Sequence, residues 1–107
     1  MISVERAAEN EATFRELNEK LEQRADELEI GEGRIPFLCE CDDERCTHVV
    51  LLTRDEYEQV RAHPRTFVLE SGHQAPDDRL IRDGSGFVVV EKTGEKGLLV
   101  EERDPRG

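Results

Sequence analysis

Hydrophobic residues recur at intervals of three or four over residues 4–29, and charged or amide residues separate them. This spacing predicts one long amphipathic helix. Its apolar positions are Ala7, Phe14, Leu17, Leu21, Ala25 and Leu28. Gly31 and Gly33 follow, and glycine is a frequent residue where a helix ends. We therefore assign residues 1–30 to an N-terminal amphipathic helix.

The hydrophobic residues at the centre of this helix form a narrow apolar stripe, and two interpretations of it remain open. Three of its members are seven residues apart and the fourth is offset by three, which is coiled-coil spacing, although it covers only about three heptads. The helix can pack against its own domain, or it can bind a protein partner or a second copy of the chain. The stripe consists of Phe14, Leu17, Leu21 and Leu28.

From Ile35 the hydrophobic period shortens toward two, which predicts strands. Residues 35–41 alternate, so that their odd-numbered members face one way. Val49–Leu52 are apolar at every position, and this predicts a central strand covered on both faces. An acidic loop joins the two segments, so we expect a β-hairpin whose acidic side chains, Glu40 included, face solvent.

The second half of the chain opens with Thr53-Arg54-Asp55-Glu56, a capping box that predicts a helix to about residue 63, stopped by Pro64. The remaining predictions are a strand over 66–70, a helical segment over 77–83, a hairpin over 87–92 and 98–102, and a frayed tail over 104–107.

Composition limits the partners, the location and the core size that we expect for this protein. The net charge of -11 repels phosphate groups, so nucleic acid and anionic membranes are not expected as partners. The first residues lack the apolar core of a signal peptide, and 18 apolar residues never run together, which predicts a cytoplasmic protein. Only 36% of the residues are hydrophobic and 5% aromatic, so the core is small and a cross-link would strengthen it.

All three cysteines lie within residues 39–46, in the pattern C-x-C-x4-C. An odd number of clustered cysteines in a reducing compartment favours metal binding over disulfides. Cys39 and Cys41 point to the same side of a strand, and a turn can bring Cys46 back beside them. Zinc is favoured over iron, because three thiolates and one imidazole form a common closed zinc site. Ordinary buried thiols and a thiol-based redox switch are the alternatives.

The sequence pattern does not decide which residue is the fourth metal ligand, because the chain has three histidines. His48 is two residues after Cys46 and would complete a local set on one strand. His73 follows Gly72 in a predicted turn, and it would tie a distant loop to the hairpin. His63 is at the predicted end of a helix, where it can interact with the helix dipole.

Several short strings resemble a group of small uncharacterised bacterial proteins, and the resemblance runs from the Glu5–Asn18 helix to the tail at 104–106. The strings are Phe37-Leu38-Cys39-Glu40-Cys41, Cys46-Thr47, Leu52-Thr53, Glu56-Tyr57, Val60-Arg61, Phe67-Val68, Gly72-His73 and Val88-Val89-Val90-Glu91-Lys92. The recurring elements of that group are C-E-C, a following C and a later G-H, and His48 is not among them. The resemblance implies Cys39, Cys41, Cys46 and His73 as the ligands, with His48 as the alternative fourth ligand.

Together these patterns predict an α+β fold: a small antiparallel sheet of four to five strands with two short helices, stapled by zinc over residues 35–103 and preceded by the long helix. A closed zinc site leaves no position for a catalytic water. We therefore expect a non-catalytic protein-interaction or regulatory module. Release of zinc by cysteine oxidation and an enzyme with an open zinc site are the alternatives.

Overall fold

The structure, a computed structural model, describes residues 3–28, 33–84 and 86–106. Its elements are α1 (Val4–Glu27), β1 (Arg34–Leu38), β2 (Val49–Thr53), α2 (Arg54–Arg61), β3 (Thr66–Glu70), β4 (Arg79–Asp83), β5 (Phe87–Glu91) and α3 (Gly94–Glu102). The predicted α+β class and the long N-terminal helix are confirmed. Gly31 and the predicted last helical residue, 29, lie outside the described residues, and the division into regions 1–30 and 35–103 stays a prediction.

Two antiparallel sheets replace the single sheet of four to five strands that the sequence predicted. β1 pairs with β2, and the other three strands pair in the order β3-β5-β4. The prediction of a central position for Val49–Leu52 is therefore wrong. In β2 the side chains of Val50 and Leu52 are buried, whereas Val49 and Leu51 are about half exposed. An unbroken apolar run cannot distinguish a central strand from one whose outer face is left uncovered.

Two predicted elements have the wrong type. Residues 77–83 were predicted to be helical, but Arg79–Asp83 form the edge strand β4, whose side chains are all exposed and so give no apolar periodicity. Residues 98–102 were predicted to be a strand, but they belong to α3. A Cβ atom on Gly97 would lie 2.6 Å from the carbonyl oxygen of Lys92, so glycine lets α3 pack directly against the end of β5.

The three-stranded sheet carries a hydrophobic core on each face, because successive residues of β3 and β5 point to opposite sides. One core contains Val68 and Val89, and packs against the β1–β2 hairpin and α2. The other contains Phe67, Leu69 and Val90 together with two of the cysteines, and α3 covers it with Val100. The cysteine cluster is therefore part of a core wall.

Helix α1 packs on the body through a face that is largely polar. Its buried residues are Ala7, Ala8, Glu11, Arg15, Asn18, Glu22 and Ala25. At 100° per residue the apolar stripe is rotated by roughly a quarter turn from this face. Leu17 is 41% exposed and Leu28 56%, while Phe14 and Leu21 are half-buried. The stripe is thus not the packing face, and its role in partner binding stays a prediction.

The C-terminal tail is held against α1 and α2, so the prediction of a frayed tail is wrong as far as residue 106. Asp104 accepts a hydrogen bond from the guanidinium of Arg61, which is fully buried. Arg106 donates to the carboxylates of Glu19 and Glu58. Gly107 lies outside the described residues. These ion pairs join residues that are far apart in the sequence, so no periodic pattern in the sequence could have predicted them.

No helix among the described residues is both long and apolar enough to cross a membrane.

Candidate metal centre

Three thiols and one imidazole meet at the end of the β1–β2 hairpin. The ligand atoms of Cys39, Cys41, Cys46 and His73 all lie within 4.8 Å of one another. The Nδ1 atom of His73 is 3.7 Å from the sulfur of Cys39 and 3.6 Å from that of Cys46. In a tetrahedral zinc site the bond lengths imply a sulfur-to-nitrogen separation of about 3.6 Å. The four groups are therefore close enough together to hold a metal ion.

Three separate segments deliver these ligands. Cys39 continues β1, and its N–H donates to the carbonyl of His48 at 3.1 Å. The N–H of Cys46 donates to the carbonyl of Asp43, which closes the turn that returns the third thiol. His73 follows β3 in a turn where Gly72 has a φ of 92°, a left-handed conformation that favours glycine. The site thus joins the hairpin to the distant end of β3.

Glu40 is the functional residue that the sequence analysis misassigned. It was expected to face solvent with the other acids of the loop, but it is completely buried. Its carboxylate accepts hydrogen bonds from Asn18 Nδ2 at 2.9 Å, from the Tyr57 hydroxyl at 2.7 Å and from the Val68 N–H at 3.2 Å. The guanidinium of Arg15 lies 3.5 Å from the same carboxylate.

A sequence signal for this burial was present. When Cys39 and Cys41 face a common ligand from an extended segment, the residue between them must face the opposite way. Here that direction leads into the protein, against α1. Asp43 and Glu44, beyond the second cysteine, are exposed as predicted.

The side chains of Arg15, Glu40 and Cys39 also form hydrogen bonds with the edge of β3 that is not paired with β5. The carbonyl of Thr66 accepts a hydrogen bond from Arg15. Glu40 binds both backbone groups of Val68: its N–H donates to the Val68 carbonyl at 2.9 Å, and its carboxylate accepts from the Val68 N–H. The N–H of Glu70 donates to the sulfur of Cys39 at 3.2 Å. Metal ligand, buried carboxylate and sheet edge therefore form one connected structure.

The thiols share their protons unequally. A hydrogen bond to Cys41, together with burial, raises the pKa of Cys39 above its usual range. The same hydrogen bond lowers the pKa of Cys41, which becomes the thiolate of the pair. Burial raises the pKa of Cys46. One negative sulfur is thus already favoured, and a cation bound here would supply the charge that stabilises the other two as thiolates.

His48 lies outside the four-membered group, although it is close to it. Its Nδ1 contacts Oε2 of Glu70, and the same oxygen is 3.5 Å from Nε2 of His73. Glu70 thus stands behind His73, in the arrangement by which carboxylates orient histidine ligands. His63 is exposed after the end of α2, and it belongs neither to the four-membered group nor to the cluster of His48, Glu70 and His73. The residues of the apolar stripe contribute no ligand atom to the centre.

Comparison with protein families, with curated proteins and with solved structures finds no match for this chain.

Proposed function

We propose that this protein is a cytoplasmic zinc-binding module in which the ion fixes the fold and an exposed helix surface binds protein. The observation that carries the proposal is the convergence of Cys39, Cys41, Cys46 and His73, with two sulfur-to-nitrogen separations that match a tetrahedral zinc site. Three thiolates with one imidazole suit zinc better than magnesium, calcium or manganese. Because the ligands come from separate segments, the free energy of zinc binding contributes to folding.

A structural role is favoured over catalysis by what surrounds the ligands. All four tetrahedral positions are supplied by the protein, so a bound zinc retains no position for water. The fully buried carboxylate between the first two cysteines, Glu40, is occupied by hydrogen bonds and cannot act as a general base. Both features are typical of zinc sites that stabilise a fold.

Elemental analysis of protein purified without chelator tests this proposal. We expect one zinc per chain in the wild type. His73→Ala lowers the zinc content and the Tm together, because it removes a ligand. His48→Ala is the matched control, and it retains both. Full thiol reactivity in protein without metal, or the reverse behaviour of the two histidine variants, would contradict the proposal.

For the interaction surface we propose that the apolar stripe of α1 pairs with the same stripe of a second copy. Leu17 and Leu28 are exposed at the centre and the end of the stripe. Lys20 and Glu27 flank it on one side, seven residues apart. In an antiparallel pair of helices, residues at such flanking positions face each other, so Lys20 of one copy is placed to meet Glu27 of the other.

Light scattering coupled to size-exclusion chromatography tests the pairing. We expect a dimer that Leu17→Glu converts to a monomer, because a carboxylate would be buried in the seam. Leu98→Glu is a suitable control, since Leu98 is 53% exposed on α3 and lies outside the stripe. A wild-type monomer at high micromolar concentration would exclude the second copy and leave the zinc proposal intact.

A redox switch is the second candidate, and the half-exposed position of Cys46 favours it. Peroxide can oxidise the thiolate of Cys46 and one neighbouring thiolate to a disulfide: two electrons pass to the peroxide, two protons come from solvent, two waters form, and zinc then leaves. A chromophoric zinc chelator would follow the release. Release at micromolar peroxide, reversed by a dithiol, supports the switch; retention of zinc under these conditions excludes it.

A further inference from the structure

We propose a second metal site on the surface, formed by Nδ1 of His48, the carboxylate of Glu70 and Nε2 of His73. The ion that this site would bind is a divalent first-row transition metal. The inference rests on the proposed function, because in the zinc-loaded protein Nδ1 of His73 would hold the first ion and Nε2 would be the nitrogen left for a second. The imidazole of His73 then stands between a closed thiolate site and an open site that faces solvent.

The geometry of the three side chains carries this proposal. Their ligand atoms lie within 4.8 Å of one another, as do those of the thiolate site. The rings of His48 and His73 are 4.7 Å apart at an angle of 76°, so they do not stack. Instead, Nδ1 of His48 and Nε2 of His73 both approach the same oxygen, Oε2 of Glu70.

The carboxylate itself points to an additional occupant. Oε2 of Glu70 is shielded from solvent, and the imidazoles of His48 and His73 are the groups that approach it. A cation shared by the three ligand atoms would supply the positive charge that replaces the water this oxygen lost on burial.

The ligand types indicate which ion this site would take. Two imidazole nitrogens and one carboxylate favour zinc, cobalt, nickel or copper over magnesium and calcium, which prefer oxygen. His48 is more than half exposed, so an ion can enter without opening the fold. Three protein ligands leave room for water, in contrast to the closed thiolate site.

Proton accounting makes the second site weaker than the first. An ion on Nδ1 of His73 would leave the remaining ring proton on Nε2, facing Glu70. A second ion would have to displace this proton to solvent, which costs free energy. In the zinc-loaded protein the second equivalent is therefore expected to bind at a higher metal concentration than the first.

Cobalt titration of the zinc-loaded protein tests the inference. We expect one further equivalent of cobalt, with weak d–d absorption and no thiolate-to-cobalt charge-transfer band, while the zinc stays bound. His48→Ala weakens the cobalt binding by about tenfold or more and leaves the zinc content at one. His63→Ala, which changes an exposed histidine outside both groups, leaves both equivalents unchanged.

Two outcomes would overturn the second site. One is a zinc-loaded protein that takes up no cobalt at about millimolar concentration, in which case Glu70 serves only to orient His73. The other is cobalt uptake that His48→Ala does not weaken. Either leaves the first zinc in place, whereas failure of the proposed function would appear as absence of that zinc.

Discussion

Two glutamates, Glu40 beside helix α1 and Glu22 within it, are buried under different conditions. The carboxylate of Glu40 is surrounded by donors: the Asn18 amide, the Tyr57 hydroxyl and a backbone N–H, with the charge of Arg15 nearby. Each donor replaces water that the carboxylate lost on burial.

Glu22, by contrast, shares its donors with other acids. It lies with Glu19 and Glu58 around a single guanidinium, that of Arg106. Burial, a hydrogen bond with Glu58 and the charges of both neighbours raise the pKa of Glu22 to about 7. The comparison teaches that the supply of donors, and not burial alone, decides whether a buried carboxylate stabilises the fold or makes it sensitive to pH.

Removal of the proposed zinc should have the largest effect, and it should affect the region of Glu40 more than the region of Glu22. A chelator is expected to lower the Tm by about 10 °C or more, because structural zinc contributes directly to folding. Hydrogen exchange should rise at the N–H of Glu70, which donates to the sulfur of Cys39. Amides around Glu22 should change little. Equal loss of protection in both regions would show that the metal supports the whole fold uniformly.

Glu40→Gln should destabilise the protein by about 3–5 kcal/mol, because it leaves the buried charge of Arg15 without its counter-charge. Urea unfolding measures this effect. Glu44→Gln is a control in the same loop, where an exposed ion pair with Arg6 contributes little. If both variants unfold at the same urea concentration, the Glu40 network is not a stabilising one.

Tyr57→Phe removes one donor to Glu40 and keeps the stacking of this ring on Phe37. The loss of a hydrogen bond to a charged group should cost about 2 kcal/mol. The same urea experiment measures it. A cost near zero would indicate that the other donors to Glu40 compensate, and the comparison with Glu22 would then rest on charge alone.

Glu22→Gln should have the smallest effect, and its sign should depend on pH. The folded-state pKa of Glu22, about 7, is above that of a free carboxyl. The carboxyl therefore favours folding most below about pH 4, and this contribution is lost as the pH rises through 7. At pH 8 the amide should stabilise by about 1 kcal/mol, a value reduced by solvent screening, and at pH 4 by nothing.

Thermal unfolding at the two pH values tests this sign. Glu16→Gln, an exposed acid on the same helix, controls for the general loss of a negative charge. Glu19, Glu58 and Arg106 face Glu22 in the folded state, so a stabilisation that is equal at both pH values would assign the effect to net charge and not to this group.

Elements with a local signal were predictable from the sequence. The capping box of Thr53 and Glu56 is present at the start of α2, and the strands of the first hairpin pair with Phe37 opposite Val50. The clustering of the three cysteines also indicated a site, because their side chains had to converge within a short segment. These features depend on residues that are close in the chain.

Features that depend on distant partners were not predictable. The buried face of α1 is polar because Arg15 and Asn18 bind Glu40 and the edges of two strands, and none of these partners is visible in the helix pattern. Every side chain of β4 is exposed, and the strand is held to β5 by its backbone and by the exposed ion pair of Arg79 with Glu91. Hydrophobic periodicity reports neither kind of contact.

The side chains that complete the edge of β3 also bear on aggregation. An open strand edge is a template on which another chain can form β-structure. Thr66–Glu70 is rich in apolar residues with high strand propensity, a composition found in aggregating segments. Arg15, Glu40 and Cys39 occupy the backbone groups that such a chain would need. A chain in which neither α1 nor the Cys39–Glu40 segment has docked exposes this edge, so docking of both segments protects the newly made protein from intermolecular β-assembly.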